Sequence, residues 1–225
     1  MLFERAAATA PDVTVAEVRD QLEARRAGER TGDADRAGGT SPDAEPEPGE
    51  IDGEVRTEEG SAATDDDGPA DRPDPGRIVA DADVLAADLL VGGDARAAMD
   101  QVRAHRWLEL VASDALLADA VAVVAALADE DLAGDWRDRI EARRRRVTQP
   151  AGDHPGLASA YAGRAAQLLT FDEGLSSARA NLALQDHVRV SVRTPHAFAA
   201  LFDPERLYPA VVGGDYPGPD ADPRG

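Results

Sequence analysis

The chain has 225 residues and a formal net charge of −20, and all 24 of its basic residues are arginine. With no cysteine, disulfides, zinc-thiolate sites and thiol nucleophiles are excluded. No stretch approaches the roughly 18 consecutive apolar residues of a membrane span, and the opening MLFERAAATAPD lacks the apolar core of a signal peptide, so a cytoplasmic protein that does not enter a membrane is expected.

The acidity is concentrated in one region. Residues 31–76 hold 15 acids against three arginines, whereas residues 77–211 hold 20 against 15. Before that region, residues 14–27, TVAEVRDQLEARRA, place Val15, Val18 and Leu22 on one helical face, and Thr14 with Glu17 forms a capping box. This predicts a short amphipathic helix within residues 1–28, either a bare tail or a helix that docks on the main domain or on a partner. Residues 29–76 are mostly Gly, Pro, Asp, Glu and Ser, with too little apolar surface to offset the entropy of ordering, which predicts a disordered acidic linker. Its DDD run at 65–67 lacks the glycine and distal glutamate of a calcium loop and reads as solvated.

At Arg77 the pattern changes. RIVA (77–80) reads as a buried strand, and a helix from Val84 toward His105 is broken at Gly92 and Gly93. WLELVA (107–112) reads as a strand, Ser113 caps a helix over 114–127, and a charged helix, EDLAGDWRDRIEARRRR, follows. Next come a helix over 155–165, a strand LLTF (168–171), a helix SSARANLALQ, a strand VRVSV (188–192), and a last helix PHAFAALF introduced by Thr194. Strands alternating with helices predict an α/β domain over residues 77–212, with a short parallel central sheet flanked by helices, and then a flexible tail over 213–225.

Ligands of open parallel sheets bind beyond the carboxyl ends of the strands. Two predicted strands end in acids there: IVA runs into Asp81 with Asp83 close behind, and LLTF runs into Asp172 and Glu173. An acid after a strand often caps the next helix, but Asp81 and Asp83 share a single helix start. Hard carboxylate oxygens without sulfur suit magnesium or manganese.

Taken in order, VADADVLAADLL, SDALLADAVAVVAAL, HPGLASAYAGRAAQLLTFD and VRVSVRTPHAFAALF resemble the strands and helices of PIN-domain ribonucleases, over residues 77 to about 203. The resemblance implies a three-layer PIN-like domain whose acids hold Mg2+ or Mn2+ for in-line attack of water on an RNA phosphodiester. It implies Asp81, Asp119 and Asp172 as catalytic metal ligands, with Asp83, Thr170 and Glu173 supporting them. There is one departure: where the family begins a helix with an acid, this chain has His154, preceded by Asp153. Either His154 ligates the metal, or Asp153 turns inward and restores the carboxylate, or metal binding is weakened and His154 only caps the helix. The partners this implies are RNA, a second copy of the chain in a homodimer, or an antitoxin-like protein.

The lysine-free composition, rich in Ala, Asp and Glu with 4% aromatics, resembles that of halophilic archaeal proteins. Salt at 1 M screens charge within roughly 3 Å, so the acidity does not exclude an anionic partner. Arg143, Arg144, Arg145 and Arg146 end the charged helix, either as an RNA phosphate-binding patch or as a solvated terminus that suits the helix dipole. Trp107 and Trp136 read as packing residues. DADVL also approaches the start of haloacid-dehalogenase-like phosphatases, and response-regulator receivers use strand-end acids too, but both rely on a lysine that this chain lacks. The alternative within the PIN-like reading is a module that binds RNA or protein without cutting.

Overall fold

The computed structural model describes residues 2–37, 72–149, 153–176 and 190–224. Strand β1 (Asp74–Ala80) buries Ile78, Val79 and Ala80 in succession, the continuous apolar pattern of a strand covered on both faces. It is the middle of five described strands, with β2 (Glu109–Ser113), β3 (Arg145–Val147), β4 (Ala165–Leu169) and β5 (Ser191–Arg193). Their order is β3-β2-β1-β4-β5, and every pair is parallel. In register, Ile78 faces Leu110 of β2, and Ala80 faces Leu169 of β4. The chain winds one way from β1 to β2 and β3 and the other way to β4 and β5. The carboxyl ends of β1 and β4 therefore border the crevice where a parallel α/β sheet binds its ligands.

The helices flank this sheet. α3 (Ala82–Leu90) and α4 (Gly93–Ala104) are separate because Gly92 and Gly93 take φ of 82° and 54°, a left-handed turn that glycine makes without strain. α5 (Asp114–Leu127) starts where the Ser113 hydroxyl accepts the Leu116 N–H at 3.1 Å. After α6 (Glu130–Glu141), α7 (Pro155–Gly163) packs against β1, β2 and β4. The short α8 (Glu173–Ser176) is followed by α9 (Pro195–Leu201), capped by Thr194, and by α10 (Pro204–Val211), which packs on β1. The parallel α/β architecture, the break at Gly92–Gly93 and the caps at Ser113 and Thr194 all match the sequence-based expectation.

Three segments differ. The charged helix stops at Glu141, and Arg145–Val147 extends as strand β3 alongside β2. Arg144 causes the turn: its side chain is buried and donates to the Ala112 carbonyl at 2.7 Å and to Asp114 at 2.6 Å. The predicted helix SSARANLALQ lies, after Ser176, outside the described residues, as does most of the predicted linker. Second, the helix expected to end by residue 28 is α2 (Val15–Ala37), which continues into the predicted linker and follows a further helix, α1 (Leu2–Thr9). The capping box forms, with Thr14 N–H donating to Glu17 at 2.9 Å. Of the readings open for this segment, docking on the main domain is the one realised: Val18 and Leu22 are buried, α2 packs on α3 and α5, and α1 packs on α3 and α6.

Last, residues 213–224 are not a loose tail. The Asp220 and Ala221 N–H groups donate to the Ala104 carbonyl at 3.0 and 3.2 Å, and the Tyr216 hydroxyl lies 2.6 Å from His105 Nε2. These contacts complete a cluster of His105, Trp107, Phe202, Tyr208 and Tyr216, in which three ring pairs meet edge to face and Trp107 stacks on Phe202. Trp136 is buried in the core, as expected of a packing residue. No described helix is long and apolar enough to cross a membrane.

Candidate acid site at the strand ends

Asp81 is the first residue after β1. Its N–H donates to the Leu169 carbonyl of β4 at 2.8 Å, and its Oδ1 caps α3 by accepting the Ala82 N–H at 2.8 Å. Thr170 follows β4 and is tied in turn to β5 by its N–H on the Arg193 carbonyl at 3.0 Å. Its hydroxyl lies 3.3 Å from both Asp81 Oδ2 and Asp83 Oδ2, and Asp83 Oδ2 also accepts the Phe171 N–H at 3.0 Å. Asp119 projects into the same crevice from α5. Asp81, Asp83, Asp119 and Thr170 are all at most 3% exposed.

Such buried charge needs a counter-ion, and helix α2 supplies it. Arg25 Nε donates to Asp119 Oδ1 at 2.9 Å, and Arg26 Nε donates to Asp119 Oδ2 at 2.9 Å. Arg26 Nη2 reaches Asp81 Oδ1 at 3.0 Å, while its Nη1 lies 3.1 Å from His154 Nε2. One guanidinium thus joins three elements of the domain. Burial opposes its charge, but Asp81 and Asp119 outweigh burial and raise its pKa further. A guanidinium can only donate, so His154 Nε2 accepts and the ring proton sits on Nδ1, which is buried without a hydrogen-bond partner among the described residues.

Asp83 has no arginine beside it among the hydrogen bonds it makes. Burial, and then the neighbouring Asp81, push its carboxyl up to about 8, against hydrogen bonds from Phe171, Val84 and Thr170. The site favours its neutral form. Its Oδ1 is buried and has no partner among the described residues. His154 occupies the N-cap of α7 without making a cap bond, and its Nε2 is 3.7 Å from Asp81 Oδ2. Gly156 permits this approach of α7, since a Cβ there would sit 3.2 Å from Asp81 Oδ1.

The other residues singled out from sequence lie elsewhere. Asp172 caps α8: its Oδ1 accepts the Gly174 N–H at 2.7 Å, and among the described residues it meets the cluster through its N–H on the Thr170 hydroxyl at 3.1 Å. Asp153 and Glu173 are exposed, so Asp153 does not turn inward to replace a carboxylate. Among the described residues no three His, Asp or Glu side chains lie close enough together to hold a metal ion. The arginine quartet is divided: Arg144 and Arg146 pair with Asp114, Arg145 pairs with Glu109 at 3.3 Å, and Arg143 faces a separate cavity. Sequence reasoning missed Arg25 and Arg26. The available signal was their spacing, three and four residues beyond Leu22, which continues the Val15–Val18–Leu22 stripe with cations.

Together these features define a parallel α/β domain with a buried, internally neutralised acid site where the strand order reverses. The chain belongs to the Family of unknown function (DUF7384), whose match spans residues 72–224. That span includes every acid of the site, whereas α1 and α2 lie outside it, so Arg25 and Arg26 enter the site from beyond the family's domain. No curated protein and no solved structure matches the chain.

Proposed function

We propose that the chain is a PIN-like, metal-dependent phosphodiesterase acting on RNA, in a resting arrangement that Arg25 and Arg26 close. The observation that supports this most is the shared guanidinium of Arg26, which ties Asp81, beside Asp83 and Thr170 at the ends of β1 and β4, to Asp119 of α5. The donor set suits magnesium or manganese in its chemistry: hard oxygens, no sulfur, and one carboxylate oxygen, Asp83 Oδ1, left without a protein partner among the described residues. With Arg26 withdrawn, Asp81, Asp83 and Asp119 would hold the ion, which supplies an activated water and offsets charge on the phosphate.

The chain's own residues prepare the site. Thr170 fixes Asp81 and Asp83 relative to each other, and the proton held on Asp83 limits repulsion between them until a cation arrives. His154 Nε2, once released by Arg26, is an acceptor next to Asp81 that can take up a proton. RNA accompanied by a divalent cation offers each half of the ion pair a new partner: phosphates for Arg25 and Arg26, and the metal for the carboxylates.

Manganese-induced thermal stabilisation and cleavage of single-stranded RNA, measured side by side, test this. The Arg25→Ala/Arg26→Ala variant is expected to gain roughly tenfold or more over the intact chain in both. Adding Asp81→Asn to that variant is expected to remove both gains. A folded double variant that neither responds to manganese nor cleaves RNA would sink the reading. A second reading, a PIN-like module that binds without cutting, is favoured by the Arg26 to His154 contact at the position where the family's acid is replaced. RNA binding retained without cleavage in the double variant would support it.

A further inference from the structure

Away from the acid crevice, near the C-terminal end of α3, helices α1, α4 and α6 and strand β2 enclose a cavity of about 480 Å3, within the ~300–1,000 Å3 range of pockets that enclose small ligands. Phe3, Met99, Val102, Leu110, Trp136 and Ile140 give it apolar walls. Phe3 makes α1 one of those walls, with the Arg96 and Arg103 guanidinium groups 4.1 and 5.3 Å from its ring centre. Helix α1 leads into α2 through residues 10–14, where Ala10 is buried.

Arg103 of α4 also lines the cavity. Its terminal nitrogens are engaged, Nη1 with Asp88 at 2.6 Å and Nη2 with Asp88 at 3.1 Å and Asp100 at 2.6 Å. Its Nε is buried and has no hydrogen-bond partner among the described residues. A buried N–H without an acceptor is costly, so an oxygen placed on it would stabilise the protein. The acceptor that fits is neutral, because a carboxylate there would lie beside Asp88, and an ammonium group beside Arg103 itself. Arg139 and Arg143 border the cavity too, but both are engaged in interactions of their own, and neither offers an open seat for an anion.

We propose that this cavity binds a neutral apolar molecule bearing one carbonyl oxygen, its hydrocarbon body against Phe3, Met99, Trp136 and Ile140 and its oxygen on Arg103 Nε. A carbonyl only accepts, which matches a lone donor, and the walls offer the body the burial that drives binding. Because Phe3 belongs to α1, the ligand is held best while α1 is docked. By reciprocity it then strengthens the docking of α1 and, through residues 10–14, that of α2, whose Arg25 and Arg26 close the acid site. The cavity is thus an effector site whose occupancy favours the closed arrangement. The coupling concerns closure alone and holds whatever reaction the open site performs.

Calorimetric titration of the full chain with 2-octanone tests the assignment, with octanoate and octylammonium as matched probes. A saturable, one-to-one 2-octanone isotherm is expected, with both charged probes weaker by roughly tenfold or more. Arg103→Lys keeps a cation for Asp88 but removes the Nε–H, and should weaken 2-octanone roughly fivefold; circular dichroism checks that the variant is folded. Hydrogen exchange gives the second readout: saturating 2-octanone should slow exchange in α1 and in residues 18–29 of the parent, and lose that effect in Phe3→Ala. No RNA or metal enters either measurement, so failure here is separable from failure of the nuclease reading. An isotherm that does not saturate, octanoate binding as tightly as 2-octanone, undiminished binding by folded Arg103→Lys, or unchanged exchange in α1 and α2 at saturation would overturn it.

Discussion

The Asp83 carboxyl, pushed up to about 8 by burial and by Asp81, makes stability depend on pH in a direction unusual for an acid. In the unfolded chain it titrates near the ordinary value of about 4. Between those values the native state holds a proton that the unfolded state has lost. This contribution is therefore complete below about pH 4, falls as pH rises toward 8, and levels off above it. At about 1.4 kcal/mol per pKa unit, the change is on the order of a few kcal/mol. Asp83→Asn fixes the neutral form, so it should flatten the decline and leave the variant more stable than the parent at pH 9. Urea midpoints at pH 5, 7 and 9 measure this, and an undiminished pH slope in the variant would contradict it. Two aspartates at one strand end were visible in the sequence. The raised pKa of Asp83 was not, because it depends first on burial, which only the packing of distant segments around the strand end creates.

At the scale of elements, α2 stands on two side chains, Val18 and Leu22, and on its two arginines. A trapped Leu→Ala change costs about 2–5 kcal/mol where the surroundings cannot relax. Helix α2 can relax by leaving, so Leu22→Asp should cost the domain little while releasing the helix. Hydrogen exchange is the appropriate readout: amides of residues 18–29 should lose protection, while those of β1 and β4 keep it. Equal loss in β1 and β4 would mean that α2 is integral to the core. Elements set by local rules were legible in the sequence, among them the Gly92–Gly93 break and the Ser113 and Thr194 caps. Strand β3 was not, because four arginines read as a helix end until Asp114 and Glu141 are placed around Arg144. The docking of α2 was equally hidden, since Arg25 and Asp119 are 94 positions apart and no local propensity links them.

Over the whole molecule, the net charge of −20 opposes compaction, and salt relieves that opposition. Stability to urea should therefore rise between 0.1 and 2 M KCl, a fall being the contrary result. The buried contacts of Arg26 are screened far less than the exposed pairs, so the acid site should stay closed across that range. The family's span begins just before β1 and runs to residue 224, which agrees with a C-terminal segment fastened to Ala104 and His105. It also separates the chain into a shared domain and an N-terminal arm that reaches the domain's acids.

Arg26 presents a guanidinium group to two carboxylates and an imidazole. Guanidinium chloride is that same head group in free form, so it is expected to compete with Arg26 for these acceptors before the sheet unfolds. Urea has no such affinity for the site. Unfolding curves in the two denaturants will not report one stability: the guanidinium curve will begin with exchange at Asp81 and Asp119 and the loosening of α2, a step that urea leaves inside the main transition.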